Sequence, residues 1–260
     1  MAAPSFKARL QRREPTIGSW LTLGHPAVAE IMATSGLDWI VIDMEHSSIT
    51  LDQAEALIRV IDLAGCVPLV RVTENDPALI KRVMDSGAHG ILVPMVNSAD
   101  DAHKAVAAVH YPPAGIRAVG LARAHGYGLD FTSYREWADR EAVVIVQIEH
   151  IDAVNALEAI LAVPGVDGFI VGPYDLSGSL GIPGQFEHEA FQRAVRRIQE
   201  VAARSGVPSG THVVPPDPAL VTARFHEGYL FVAYSDDFLF LAETCRQGVR
   251  AIRSGLAIRA

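Results

Sequence analysis

Three observations predict an α/β fold, a single (β/α)8 barrel of the TIM type. Short apolar runs alternate with amphipathic segments along the chain, the pattern of parallel strands covered by helices. The 260 residues, 50% of them hydrophobic, suit one domain over 1–260, because such barrels take about 250 residues. Charged residues follow one apolar run after another, and in this architecture chemistry collects where strands end.

The first strand is expected over 17–23 and a helix over 26–35, opened by Pro26, whose missing N–H costs nothing in a first turn. Gly36 stops that helix, and a second strand, 39–42, runs into Asp43-Met44-Glu45-His46. Residues 50–63 set Leu51, Ala54, Leu57, Ile58 and Ile61 on one helical face, with Gly65 after them. Strand three, 67–72, carries Arg71 at its end, and Asn75-Asp76-Pro77 caps a helix that runs to Asp85. Strand four covers 90–96 and its helix 99–109. A Gly-rich irregular insertion over about 111–131 holds Arg117, Arg123 and His125, and segments this long are often lids or binding loops. Strand five, 143–148, is apolar except for Gln147 and ends on Glu149. One helical segment, 153–161, leads to strand six, 166–171, and the turn Gly172-Pro173-Tyr174 then delivers Asp175. A helix over 187–205, strand seven over 207–213, a helix over 218–226, strand eight over 229–233 and a last helix over 237–258 complete the alternation.

A net charge of -8 argues against a nucleic-acid partner, which would call for a basic face. The N-terminal segment carries Lys7, Arg9, Arg12 and Arg13 without a secretory apolar run, and no apolar window reaches the roughly 18 residues of a membrane span. A cytoplasmic protein with no membrane partner is expected. Cys66 and Cys245, in predicted helix or core context, lack the spacing of a zinc site or disulfide framework and read as free thiols. No Gly-rich dinucleotide or triphosphate loop is present.

The strand ends carry Trp20, Asp43, Glu45, His46, Arg71, Gln147, Glu149, Asp175, His212 and Ser235. So much charge on one rim is costly unless a cation and an anionic ligand offset it. Glu149 and Asp175 leave the same end of neighbouring parallel strands, so both can reach one hard divalent cation that keeps waters for substrate to displace. A loop salt bridge for Glu149 and a helix N-cap for Asp175 are the alternatives. The lysines are Lys7, Lys81 and Lys104, none at a strand end, which removes the nucleophile of a Schiff-base aldolase. Chemistry on a carbonyl would then use a metal as electron sink, with Arg71 stabilising the enolate. Arg71 could also pair with Asp43 or Glu45, and His46 could cap the next helix. Asp85 could bridge to Arg82, Trp20 could be pocket wall or core, and Gln147 must find a partner inside the barrel. Arg123 could bind a distal carboxylate or a neighbouring subunit.

The ordered motifs Gly18-Ser19-Trp20-Leu21, Asp43-Met44-Glu45-His46, Val70-Arg71, Asn75-Asp76-Pro77 and Leu92-Val93-Pro94-Met95-Val96 resemble the HpcH/HpaI family of metal-dependent pyruvate aldolases. So do Tyr111-Pro112-Pro113-Ala114-Gly115-Ile116-Arg117, Val146-Gln147-Ile148-Glu149 and Gly172-Pro173-Tyr174-Asp175-Leu176-Ser177. The resemblance implies a TIM barrel whose last helix is exchanged between partners, within a hexamer built as a trimer of dimers. It implies reversible cleavage of a 4-hydroxy-2-oxo acid to pyruvate and an aldehyde with Mg2+, Mn2+ or Co2+. By the same resemblance Glu149 and Asp175 are metal ligands, His46 is the acid-base group with its basicity raised by Asp85, and Arg71 steadies the enolate. Gln147 would contact the oxo acid, and the backbone N–H groups of Tyr174 and Asp175 would hold its carboxylate. Tyr174 stands where a small residue is common, and His212 where an aliphatic one is frequent. His212 is expected to give the aldehyde side a polar wall suited to a hydroxylated or acidic aldehyde. An acyl-CoA lyase of the same barrel and a non-catalytic metabolite-binding protein are the other classes considered.

Overall fold

The structure, a computed structural model, describes residues 5–256. Eight parallel strands close into a barrel in sequence order. They are β1 (Thr16–Leu21), β2 (Trp39–Asp43), β3 (Val67–Arg71), β4 (Gly90–Val93), β5 (Val143–Ile148), β6 (Gly168–Val171), β7 (Ser209–Val213) and β8 (Phe231–Asp236). The predicted barrel is therefore the observed one. In β2 the buried side chains divide between two cores: Val41 points into the barrel, while Ile40 and Ile42 pack under the helices. Inside the barrel, Trp39 and Phe231 are too large for a neighbour with a side chain. A Cβ on Gly18 would lie 2.0 Å from the Trp39 ring, and one on Gly210 would lie 2.0 Å from the Phe231 ring.

The outer layer keeps the predicted helices in order and adds two that were not expected, Phe131–Glu141 and Pro173–Ser179. It comprises α2 (Pro26–Ala33), α3 (Leu51–Leu63), α4 (Pro77–Asp85) and α5 (Ala99–Val109), then α6 to α11 and the last helix, α12 (Asp237–Gly255). Within that set, α6 is Phe131–Glu141, α7 Ile151–Asn155, α8 Leu157–Leu161, α9 Pro173–Ser179, α10 Glu189–Ser205 and α11 Pro218–His226. Each start has a local cause: Thr50 and Gln53 form a capping box on α3, and Asp76 accepts from the N–H groups of Ala78 and Leu79 on α4.

Several expectations need correction. The single helix expected over 153–161 is two short ones, and strand four stops at Val93 because Pro94 has no N–H and Met95 turns to φ 52°. Cys245 lies exposed on α12, not in a core, while Cys66 is buried. Residues 257 and 258 of the expected last helix lie outside the described residues. An additional helix, α1 (Phe6–Gln11), plugs the N-terminal mouth. Its Phe6 and Leu10 join the inner core, and the Lys7 ammonium sits 2.9 Å from Asp167 and 2.9 Å from the carbonyl of Ala142. With that mouth filled, the C-terminal mouth is the open one.

Candidate active site at the C-terminal mouth

Asp43 and Arg71 end adjacent strands in register. Asp43, buried, accepts from the N–H groups of Glu45 (3.0 Å) and His46 (3.2 Å), which folds the turn after β2. Its two oxygens also take Nε (2.9 Å) and Nη2 (2.6 Å) of Arg71, the bidentate geometry that fixes a guanidinium plane. Trp20 covers one face of that plane at 4.3 Å. Arg71 Nη1 reaches the Gln147 carbonyl oxygen at 3.4 Å, and the Gln147 amide donates onward to Glu149. The odd polar residue of β5 is thus satisfied by a chain of contacts running from Arg71 to Glu149.

Glu149 is buried at 3% exposure and has no cationic partner among the described residues; the Met95 N–H donates to its Oε1 at 2.7 Å. Gly172 makes room for it: a Cβ there would stand 2.8 Å from Glu149 Oε2 and 2.9 Å from its Cβ. Asp175, in the first turn of α9, lines the cavity above. Gly172, not Asp175, is the cap of α9, so the N-cap alternative for Asp175 does not hold. Glu45 lies 3.3 Å from Arg71 Nε, yet its buried Oε2 has no hydrogen-bond partner. Burial pushes the Glu45 carboxyl up to about 7; Arg71 pulls the other way, and Glu149, Asp43 and Asp175 add to the rise. Four carboxylates around one guanidinium leave an excess of negative charge that a divalent cation would neutralise. Among the described residues no three His, Cys, Asp or Glu form a complete metal cage. An octahedral ion such as Mg2+ keeps several of its waters and needs only one or two carboxylates, however, and the buried Glu149 beside Asp175 fits that donor set. The cavity, about 260 Å3, is lined by Trp20, His46, Arg71, Gln147, Asp175 and His212 among others.

Over residues 16–240 the sequence matches the family described as HpcH/HpaI aldolase/citrate lyase. The chain belongs to that family. A hydroxypyruvate/pyruvate aldolase of Paraburkholderia phytofirmans is 38% identical, over 96% of this chain and 97% of its own. A 4-hydroxy-2-oxo-heptane-1,7-dioate aldolase of Salmonella arizonae is 39% identical, over 92% of this chain and 90% of its own. Among solved structures, an HpcH/HpaI aldolase/citrate lyase family protein from Burkholderia cenocepacia superposes with a TM-score of 0.89 at 35% identity, covering 95% of this chain and 98% of that one. The membership read from the motifs holds, and with it a carbon-carbon lyase of aldolase type.

Of the residues singled out in the sequence, the HpcH/HpaI barrel brings Trp20, His46, Arg71, Gln147, Tyr174, Asp175 and His212 to one cavity, with Glu149 beneath it. His46 is exposed on the rim, 3.7 Å from Glu45, and Thr50 caps the helix that follows. Two residues are placed elsewhere. Asp85 pairs with Arg117 at 2.6 Å, not with Arg82, and the charged neighbour of His46 is Glu45. Arg123 holds Asp62 at 2.8 Å and the carbonyl of Ser86 at 3.1 Å. Both lie where α3 and α4 end, and a helix end leads into a strand start, so within one chain they belong to the opposite mouth. The pairing of Arg71 with Asp43 that the sequence offered as an alternative is the one observed, whereas Gly172 was not assigned a role from the sequence. The Asp43-x-Glu45 pair facing Arg71 across β2 and β3, and a glycine directly after the β6 run, were the signals available.

Proposed function

We propose that this protein is a metal-dependent aldolase that reversibly cleaves a 4-hydroxy-2-oxo acid to pyruvate, or a related 2-oxo acid, and an aldehyde. The observation that carries the reading is the mouth itself: a carboxylate cluster around a pinned Arg71, in a site whose lining includes no lysine. A divalent cation held by Glu149 and Asp175, Mg2+, Mn2+ or Co2+, would supply the electron sink for the 2-oxo group. The N–H groups of Tyr174 and Asp175 open α9 and have no partner within the helix, so they suit the oxo-acid carboxylate. Gln147, steered from both sides, orients the 2-oxo oxygen. Arg71 is pinned by Asp43 before any substrate arrives, and its preset guanidinium answers the negative charge that develops on that oxygen as the C3–C4 bond breaks. His46, exposed on the rim, takes the proton of the 4-hydroxyl as the aldehyde forms, and a proton delivered to C3 of the enolate completes pyruvate.

A homo-oligomer belongs to the same reading. Helix α12 buries only Asp237 and exposes Leu241, Val249 and Ile252, beside an apolar groove of about 720 Å3 lined by Leu23, Val28, Ile31 and Phe240. Exchange of α12 between two copies would cover both, within a trimer of dimers. Asp85 and Arg123 enter the site only as contributions from a neighbouring subunit. The test is pyruvate release from a racemic 4-hydroxy-2-oxo acid: EDTA abolishes it, Mn2+ restores it, and Glu149→Gln or Asp175→Asn lowers kcat/KM by at least about 100-fold. Full activity after chelation, or no cleavage of any such acid, overturns the reading.

A further inference from the structure

His212 sits near the end of β7, opposite Ala233 of β8, and lines the cavity. Its Nε2 lies 3.2 Å from the backbone carbonyl of Ser235. A carbonyl can only accept, so Nε2 carries the proton and the ring is held in one tautomer. That carbonyl is itself fixed. Ser235 adopts φ 51°, its hydroxyl donates to the Val214 carbonyl at 2.9 Å, and Ser19 donates to the Ser235 carbonyl at 3.2 Å. The Trp20 ring, 5.7 Å away between centroids, restricts rotation of the imidazole. Burial pushes the His212 pKa down to about 4, so the ring is uncharged at neutral pH. Nδ1 is left with a lone pair and no donor among the described residues, and it is not among the buried polar atoms sealed away without a partner.

Such a wall discriminates by sign. A hydroxyl can donate to Nδ1, whereas a carboxylate presents only lone pairs against it. The one guanidinium lining the cavity, Arg71, already holds Asp43 through two bonds. The cavity of about 260 Å3 has room for a short substrate. Resting on the aldolase reading above, we propose that His212 is a specificity residue whose Nδ1 accepts a hydrogen bond from a substrate hydroxyl. The site then favours short hydroxylated substrates over plain alkyl or carboxylate-bearing ones. The hydroxyl can come from the aldehyde or from a hydroxylated 2-oxo acid, and the experiment separates the two.

The parent, His212→Phe and His212→Gln are assayed by kcat/KM with four pairings. Glyceraldehyde, propanal and succinic semialdehyde are each paired with pyruvate, and propanal is also paired with hydroxypyruvate. The parent is expected to prefer the hydroxylated member of at least one pair. In His212→Phe, which keeps a ring but no acceptor, that preference falls about tenfold, the scale of one lost hydrogen bond. His212→Gln restores most of it. A fall confined to glyceraldehyde over propanal places the hydroxyl on the aldehyde, and one confined to hydroxypyruvate over pyruvate places it on the oxo acid. Three results overturn the proposal: a parent that prefers succinic semialdehyde, an unchanged ratio in His212→Phe, or an equal loss in both variants. Manganese-dependent exchange of the pyruvate methyl protons in D2O, measured on the parent, reports separately on the aldolase reading. Exchange with unaltered ratios sinks only the role of His212, and no exchange sinks the reading beneath it.

Discussion

Glu149 keeps its place partly because Gly172 has no side chain. Gly172→Ala would set a methyl 2.9 Å from Glu149 Cβ, a contact that rotation of the carboxylate alone cannot relieve. The expected result is Mn2+ binding weakened by about 10- to 100-fold together with a stability loss of about 1–3 kcal/mol, read by calorimetric titration beside a thermal melt. Parent-like affinity would show that Glu149 is not a ligand. His212 allows a pH test whose sign is fixed. Burial holds its folded pKa near 4, below its ordinary 6.5, so the unfolded chain takes up a proton between those values that the folded chain refuses. The stability tied to the neutral ring is present above pH 6.5 and is lost as pH falls toward 4. Urea titrations of His212→Gln across that window, in EDTA, should show a shallower acid decline by about one proton; a slope equal to the parent's contradicts the burial argument.

The insertion is anchored as an element. Arg117, fully buried, lies 4.6 Å from the Tyr111 ring and 5.3 Å from the Tyr134 ring, and its Nη2 reaches Asp85. Removing one member of a buried pair strands the other charge, so Arg117→Met should cost about 3–5 kcal/mol in chemical unfolding. Arg117→Met combined with Asp85→Asn should recover much of that loss, whereas additive losses would show that the two do not act as a pair. The sequence offered Arg117 as part of a motif but not its partner, because 32 residues separate them and no local periodicity connects a loop arginine to a helix end. Helix α6 escaped the reading for a related reason. It buries only Tyr134 and Ala138, too narrow a stripe to stand out from an irregular insertion.

At the scale of the molecule, α12 meets β1 and β8 of its own chain and leaves the apolar Leu241, Val249 and Ile252 exposed. Leu241→Glu with Ile252→Glu should shift sedimentation to a smaller species than the parent, since both side chains are 60% exposed or more and apolar. An unchanged sedimentation coefficient removes α12 from the interface. The barrel was legible from sequence because strand and helix periodicities are local, and strands buried on both faces can only be covered by the helices between them. The cavity residues were legible for the same reason: parallel strands place every C-terminal end at one mouth. Only the tertiary structure decided that Asp43 grips Arg71, that Gln147 links Arg71 to Glu149, and that Asp85 and Arg123 lie at the far mouth. Those outcomes depend on which side chains meet across strands and across the insertion. A one-dimensional pattern names the groups that need partners, but closure of the barrel chooses the partners.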